Sequence, residues 1–178
     1  MNDESVLIQR SLEGDERAYR ALYENHVGSL YRFLTQFSRD RHEVEEWVQR
    51  SFIKAFLRLE SFRSGSRFAT WLFSIGINEM KADGRRKNIF PLEGLEDAGT
   101  PVAENREDQF HWDELMKSWL AKLDDQKRAV FVLHEVEGYS HAEIADILGI
   151  GESSSRTILT RTRHWLRDRW NDERKEAG

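Results

Sequence analysis

Ser154, Thr157, Arg161 and His164 recur at intervals of three or four residues, so on a helix they project from one face. Arg156 and Thr160 lie between them. Hydroxyl, guanidinium and imidazole groups in that arrangement donate and accept hydrogen bonds at the edges of nucleic-acid bases, and the cations also meet phosphate. Catalysis needs other spacings. The chain shows no nucleophile beside its base, no paired carboxylates poised as acid and base, and no metal-ligand run. Its six histidines stand singly, and cysteine is absent, so disulfides and thiolate metal sites are excluded. No cofactor and no enzymatic activity are implied. The chemistry on offer is recognition.

A face of that kind has to be held by something. Tyr139-Ser140-His141-Ala142-Glu143-Ile144 predicts a helix start: Ser140 as cap, Glu143 reaching back to the cap's own N–H, and Tyr139 packing on Ile144. The short helix carries Ile144, Ala145 and Leu148 on one side and stops at Gly149, a residue suited to the left-handed position that ends helices. A second helix capped by Ser153 or Ser154 then places Ser155, Leu159, Thr162 and Leu166 inward, with Ile158 and Trp165 flanking. A short helix, a tight glycine turn and a basic second helix read as a helix-turn-helix. On spacing alone the same residues also suit an ordinary helix pair with a solvated basic side.

The stretch EGYSHAEIADILGI followed by RTILTRTRHWLRD resembles region 4.2 of the extracytoplasmic-function (ECF, group IV) sigma factors of the sigma-70 family. That resemblance implies a DNA-reading domain for the promoter -35 element, with Ser154, Arg156, Thr157, Thr160, Arg161 and His164 facing the DNA. It also implies a polymerase-binding half upstream.

Length and charge leave room for it. The 178 residues suffice for two small domains, and two prolines with 33% charged residues suit a helical protein. The N-terminus is acidic, and no stretch approaches a membrane span, so the expectation is an intracellular, cytoplasmic chain. The net charge of -5 is unevenly spread. Pro91 to Glu114 holds eight acids against one arginine, close to -7, which leaves the rest near +2. Both prolines, Pro91 and Pro101, lie in that segment. The expected organisation is one helical domain over 1–88, an acidic flexible linker over 89–111, and a second domain over 112–178.

The first half is patterned as helices throughout. Asp3 to Glu13 precedes Gly14. Asp15 caps a long helix with Tyr19, Leu22, Tyr23, His26, Val27, Leu30, Leu34 and Phe37 on one stripe, His26 reading as a packed histidine. Asp40 with Glu43 caps a third helix burying Val44, Trp47, Val48, Phe52, Ala55, Phe56 and Leu59, with Glu45, Glu46, Gln49, Arg50 and Lys54 outward. A fourth starts near Ser66, buries Phe68, Trp71, Leu72 and Ile75, and ends in Gly84-Arg85-Arg86-Lys87.

VEEWVQRSFIKAFLRLESFRSGSRFATWLFSIGIN is similar to regions 2.2 to 2.4 of the same sigma factors. Together the two resemblances cover about residues 15–88 and 112–170 in the family's order. They imply an all-α fold of two small helical domains that binds core RNA polymerase and promoter DNA. Glu46, Gln49, Arg50 and Lys54 match the face that docks on the clamp helices of the large polymerase subunit. Asn78 and the loop of Ser64, Ser66, Arg67 and Phe68 match the pocket that captures a flipped base of the -10 element, with Trp71 beneath. An amide suits that task because it supplies both a donor and an acceptor. Arg85, Arg86 and Lys87 would meet phosphate, where cations give affinity without sequence information. The helix before the turn, Asp124 to Glu137, would pack the helix-turn-helix and touch the polymerase flap. An anti-sigma protein, membrane-linked in many relatives, is a further implied partner.

Some positions depart from the family pattern. Arg50 stands where Glu is common; Ser153 and Ser155 replace a usual Gly and an aliphatic residue; Ile158 replaces a basic one. Two other functions stay open at this point. A stand-alone helix-turn-helix regulator would leave the aromatic first half without a task. A decoy that occupies polymerase would need neither Arg161 nor Asn78.

Overall fold

In a computed structural model of the chain, residues 3–62, 65–83 and 111–176 are described, and among them every regular element is helical. The acidic segment expected to be a linker lies outside the described residues, as do Ser64, Arg85, Arg86 and Lys87. The described residues fall into two compact units, one holding 3–83 and the other most of 111–176.

The N-terminal unit is built from α1 (Asp3–Leu12), α2 (Glu16–Leu34), α3 (Arg41–Leu57), a single 3-10 turn (Leu59–Ser61) and α4 (Phe68–Ala82). Asp15 starts α2 by accepting from the Arg17 N–H at 2.9 Å. Asp40 does the same for α3 with His42 at 2.9 Å, and the Asp40 N–H itself donates to Ser38 Oγ, whose hydroxyl donates to Glu43. Unsatisfied helix-end amides are thus met by side chains. The core then forms from one stripe of each helix. Leu22, Leu30, Leu34, Trp47, Ala55, Leu72 and Phe73 are all fully buried. Each large member contributes roughly 1.5–3 kcal/mol by leaving water. Gly76 permits the close approach of α4 to α2, since a Cβ there would lie 2.9 Å from Leu30 Cδ1.

Tyr23 corrects the α2 expectation. It stays 41% exposed at the rim, its ring tilted 59° against that of Phe52 with centroids 4.7 Å apart, while Ala18 and Phe33 enter the core. Trp71 and Ile75 are half-buried, and Ile77 and Met80 are inside instead. An α-helix of 15 residues turns about 100° per residue, so a stripe drawn from its first turns drifts off the core by the last ones. His26 is packed as expected, hydrogen-bonded to Glu4 at 2.7 Å and resting 5.2 Å from the Phe68 ring.

The C-terminal unit holds α5 (His111–Ala121), α6 (Asp125–Phe131), α7 (His141–Leu148) and α8 (Glu152–Glu176). Asp124 caps α6 by accepting from Lys127 N–H. The expected single helix to Glu137 instead widens into a π turn over Val132–Val136, closed by Glu137 N–H donating to the Val132 carbonyl at 3.0 Å. Arg128 locks the α5–α6 junction: Nε donates to the Leu120 carbonyl at 2.7 Å and Nη2 to Ala121 and Leu123 at 3.1 and 2.8 Å. The Leu120 carbonyl also accepts from the Leu123 N–H at 3.2 Å, and a guanidinium at the end of α5 both bonds these carbonyls and answers the helix dipole.

Candidate functional site

The turn between α7 and α8 sets the C-terminal site. Ser140 accepts from the Glu143 N–H, and Glu143 returns to the Ser140 N–H at 2.9 Å, closing the capping box. Gly149 takes φ 69°, ψ 37°, the left-handed conformation that glycine adopts without a Cβ clash. The start of α8 differs from expectation. The Gly151 carbonyl accepts the first helical bond from Ser155 N–H at 3.0 Å, so the helix opens at Glu152 and neither Ser153 nor Ser154 caps it.

Burial along α8 alternates with the helical period. Ser155, Leu159, Thr162 and Leu166 are buried; Ser154, Arg156, Thr157, Thr160, Arg161 and His164 are all exposed. The six candidate residues therefore share a solvent face. They are not equivalent on it. Thr157 and Thr160 hydroxyls bond back to the Ser153 and Arg156 carbonyls at 3.0 and 2.9 Å, and Arg156 pairs with Glu152 on its own helix. Arg161 and His164 make no such bond among the described residues, so their donors remain available to an incoming base edge or phosphate.

Two histidines that stand apart in sequence meet behind this face, correcting their reading as isolated residues. The His134 and His141 rings lie 4.7 Å apart at 30°. His141 Nδ1 is hydrogen-bonded to Ser155 Oγ at 2.9 Å, and Arg163 of α8 pairs with Glu135 of the π turn, Nε to Oε1 at 2.9 Å. Burial, then the neighbouring His134 and Arg156, hold the His141 imidazolium below its ordinary range; Arg163 adds to this and Glu152 opposes it. Among the described residues no group of three or more His, Asp or Glu converges as a metal would require.

In the N-terminal unit α3 presents Glu46 and Gln49 to solvent. Gln49 lies in a groove of about 570 Å³ with Tyr23, Val27 and Tyr31 of α2 and Arg41, Glu45 and Val48 of α3. Lys54 is exposed as expected and Arg50 partly so, and both also engage a carboxylate of α4. Lys54 Nζ lies 2.5 Å from Glu79 Oε1, and Arg50 Nε lies 3.9 Å from Glu79 Oε2. Glu79, which no spacing in the sequence singles out, is 5% exposed. A carboxylate at that depth draws cations toward it, which tilts both side chains inward.

On α4, Asn78 is exposed, and its amide makes no hydrogen bond among the described residues. Ser66 and Arg67 are exposed just before the helix. Phe68 is not a surface for a base: it is fully buried, with ring centroids 5.8 Å from Phe62 and 5.9 Å from Trp71. Its large apolar ring is worth more inside the core, where it supports the loop from below.

Two sequence families match this chain, "Sigma-70 region 2" over residues 22–88 and "Sigma-70, region 4" over residues 114–166. Similar curated proteins include ECF RNA polymerase sigma-E factors. That of Salmonella typhimurium is 32% identical, covering 90% of both chains; that of Haemophilus influenzae is 28% identical, covering 93% of this chain and 94% of its own. Among solved structures, CnrH in complex with the cytosolic domain of CnrY aligns with a TM-score of 0.69 at 25% identity over 94% of this chain and 96% of that one. The sigma factor RpoE of Bartonella quintana, in complex with the anti-sigma factor NepR, shares the fold with a TM-score of 0.63 at 22% identity, over 84% and 94% of the two chains.

Proposed function

This chain belongs to the ECF sigma factors of the sigma-70 family, and from that membership we propose how its two units divide the work. It is an alternative sigma factor, directing core RNA polymerase to promoters, and the polymerase performs the chemistry. The unit within 1–88 docks on the large polymerase subunit through Glu46 and Gln49, with Arg50 and Lys54 at the edge of that contact. Asn78 reads an unpaired -10 base, flanked by Ser66 and Arg67, with Ser64, Arg85, Arg86 and Lys87 completing the -10 contacts. The unit within 112–178 reads the -35 element through Arg161 and His164, with Ser154, Arg156, Thr157 and Thr160 around them. Residues 89–111 join the units. The burial pattern of α8 carries this reading: one stripe is entirely inside and the basic, hydroxyl-bearing stripe entirely outside. A second stand-alone reading, a helix-turn-helix regulator, is disfavoured by the match over residues 22–88.

The partners follow. No described helix is long and apolar enough to cross a membrane. A chain that works on core polymerase acts in the cytoplasm, and an anti-sigma protein, membrane-linked or not, holds it inactive until a signal arrives. Run-off transcription by core polymerase with this chain on a randomised promoter library tests the function. Enrichment of paired -35 and -10 motifs at fixed spacing is the expected result; transcription no different from core enzyme alone would overturn it.

A further inference from the structure

Two stripes of polar residues meet where α3 crosses α4. Trp47, Arg50 and Lys54 lie three and four residues apart on α3, and Glu79 and Asp83 lie four apart at the end of α4. Lys54 Nζ reaches Glu79 Oε1 at 2.5 Å, Arg50 Nε stands 3.9 Å from Glu79 Oε2, Arg50 Nη2 stands 3.9 Å from Asp83 Oδ1, and Trp47 Nε1 donates to Asp83 Oδ2 at 3.4 Å. Apolar packing tolerates a small roll of one helix on another. A directional bond to a buried carboxylate does not, because any roll strands the charge away from both water and its cation. Arg50 holds station by charge alone: its Nε and Nη2 are buried and lack hydrogen-bond partners. Its charge, reversed from the common family pattern, has a local reason, since a Glu there would face Glu79.

Asn78 is the residue just before Glu79, so it leaves α4 about 100° round from the seam, on the exposed side. We propose that Glu79 is a positioning residue for -10 recognition: through Lys54 and Arg50 it fixes the roll of α4 and with it the aim of Asn78. This rests on the reading of Asn78 as the base-contacting amide. Glu79 itself touches no DNA, being buried. Its effect passes entirely through the direction of its neighbour.

The test uses holoenzyme assembled from core polymerase and the full chain, with duplex promoters carrying each of the four bases at each -10 position in competition for opening. Preference is a ratio within one holoenzyme, so losses of core affinity or of folded fraction cancel. Glu79→Gln should flatten preference by about fivefold or more at the single position that Asn78→Ala also flattens. In the Asn78→Ala background, adding Glu79→Gln should change preference no further. Glu79→Leu provides the same measurement should the Gln variant fold poorly, because Lys54 and Arg50, 46% and 40% exposed, can turn to solvent. Wild-type preference in both Glu79 variants beside an effective Asn78→Ala overturns the proposal alone. So does an effect of equal size in the Asn78→Ala background. An Asn78→Ala holoenzyme with wild-type preference removes the base-reading role and this proposal together.

Discussion

His141 Nδ1 and Ser155 Oγ, fourteen residues apart, are joined by a 2.9 Å hydrogen bond that fastens the first turn of α8 to the start of α7. Ser155 is fully buried there, in a position where the family commonly has an aliphatic residue. A hydroxyl in that place needs a partner, and His141 supplies it. The serine is thus answered, and the recognition helix keeps a fixed origin.

Breaking that bond from one side should cost more than removing both partners. Ser155→Ala leaves the imidazole nitrogen without its partner and should destabilise the C-terminal unit by about 1–2 kcal/mol, with weaker -35 binding. Ser155→Val combined with His141→Phe removes the donor and the acceptor together and should recover much of that loss. Thermal melts of the single and double variants check it; additive losses would mean that the two groups are not coupled.

Acid should loosen the same joint. The folded pKa of His141 is depressed, so between that value and the unfolded value of about 6.5 the unfolded chain binds more protons. Stability contributed by His141 is therefore complete above the unfolded value and declines as the pH falls through the window to the folded one. His141→Gln should show a smaller drop in melting temperature between pH 7.5 and pH 5 than the parent chain. An equal drop in both would assign the acid sensitivity to other groups.

Arg161 can be truncated with little loss of packing because it is exposed and makes no bond among the described residues. Arg161→Ala should cost about 1–3 kcal/mol at one -35 base pair if the guanidinium meets a guanine edge. If it meets phosphate, binding should weaken on all sequences alike, with a shallower dependence on salt. Binding titrations on matched and substituted -35 duplexes at several salt concentrations distinguish the two, and wild-type behaviour in all of them would take this face off the DNA.

On α3 the exposed pair carries the expectation. Glu46→Ala with Gln49→Ala should lower affinity for core polymerase while leaving the folding stability within about 0.5 kcal/mol of the parent, since neither side chain is buried. A titration of core enzyme with labelled chain reads this directly, and unchanged affinity would move the docking face elsewhere.

Arg128 predicts a purely structural effect. Arg128→Met keeps the aliphatic stem and loses the bonds to Leu120, Ala121 and Leu123 and the 3.2 Å pair with Asp125, so the C-terminal unit should lose about 2–3 kcal/mol, read by denaturant melts. A loss below about 0.5 kcal/mol would mean that water satisfies those carbonyls as well.

What the sequence determined by itself are the features that short-range chemistry controls. The Ser140–Glu143 box and the glycine stop at Gly149 involve atoms a few residues apart, and the buried stripe Ser155, Leu159, Thr162 and Leu166 follows from the helical period. The recognition face is the complement of that stripe, so it was legible too. Only the tertiary structure decided which polar groups become partners. Glu79 read as an unremarkable helix residue until α3 brought Lys54 and Arg50 over it, and His134 and His141 read as single histidines until the π turn set their rings together. The helical period already put Phe68 among the buried residues, against the base-contacting role that the resemblance implied, and it packs there on Phe62, Trp71 and His26. Periodicity reports which side of a helix is inward. It carries no record of what lies opposite, because that depends on how two helices far apart in the chain are rolled and crossed.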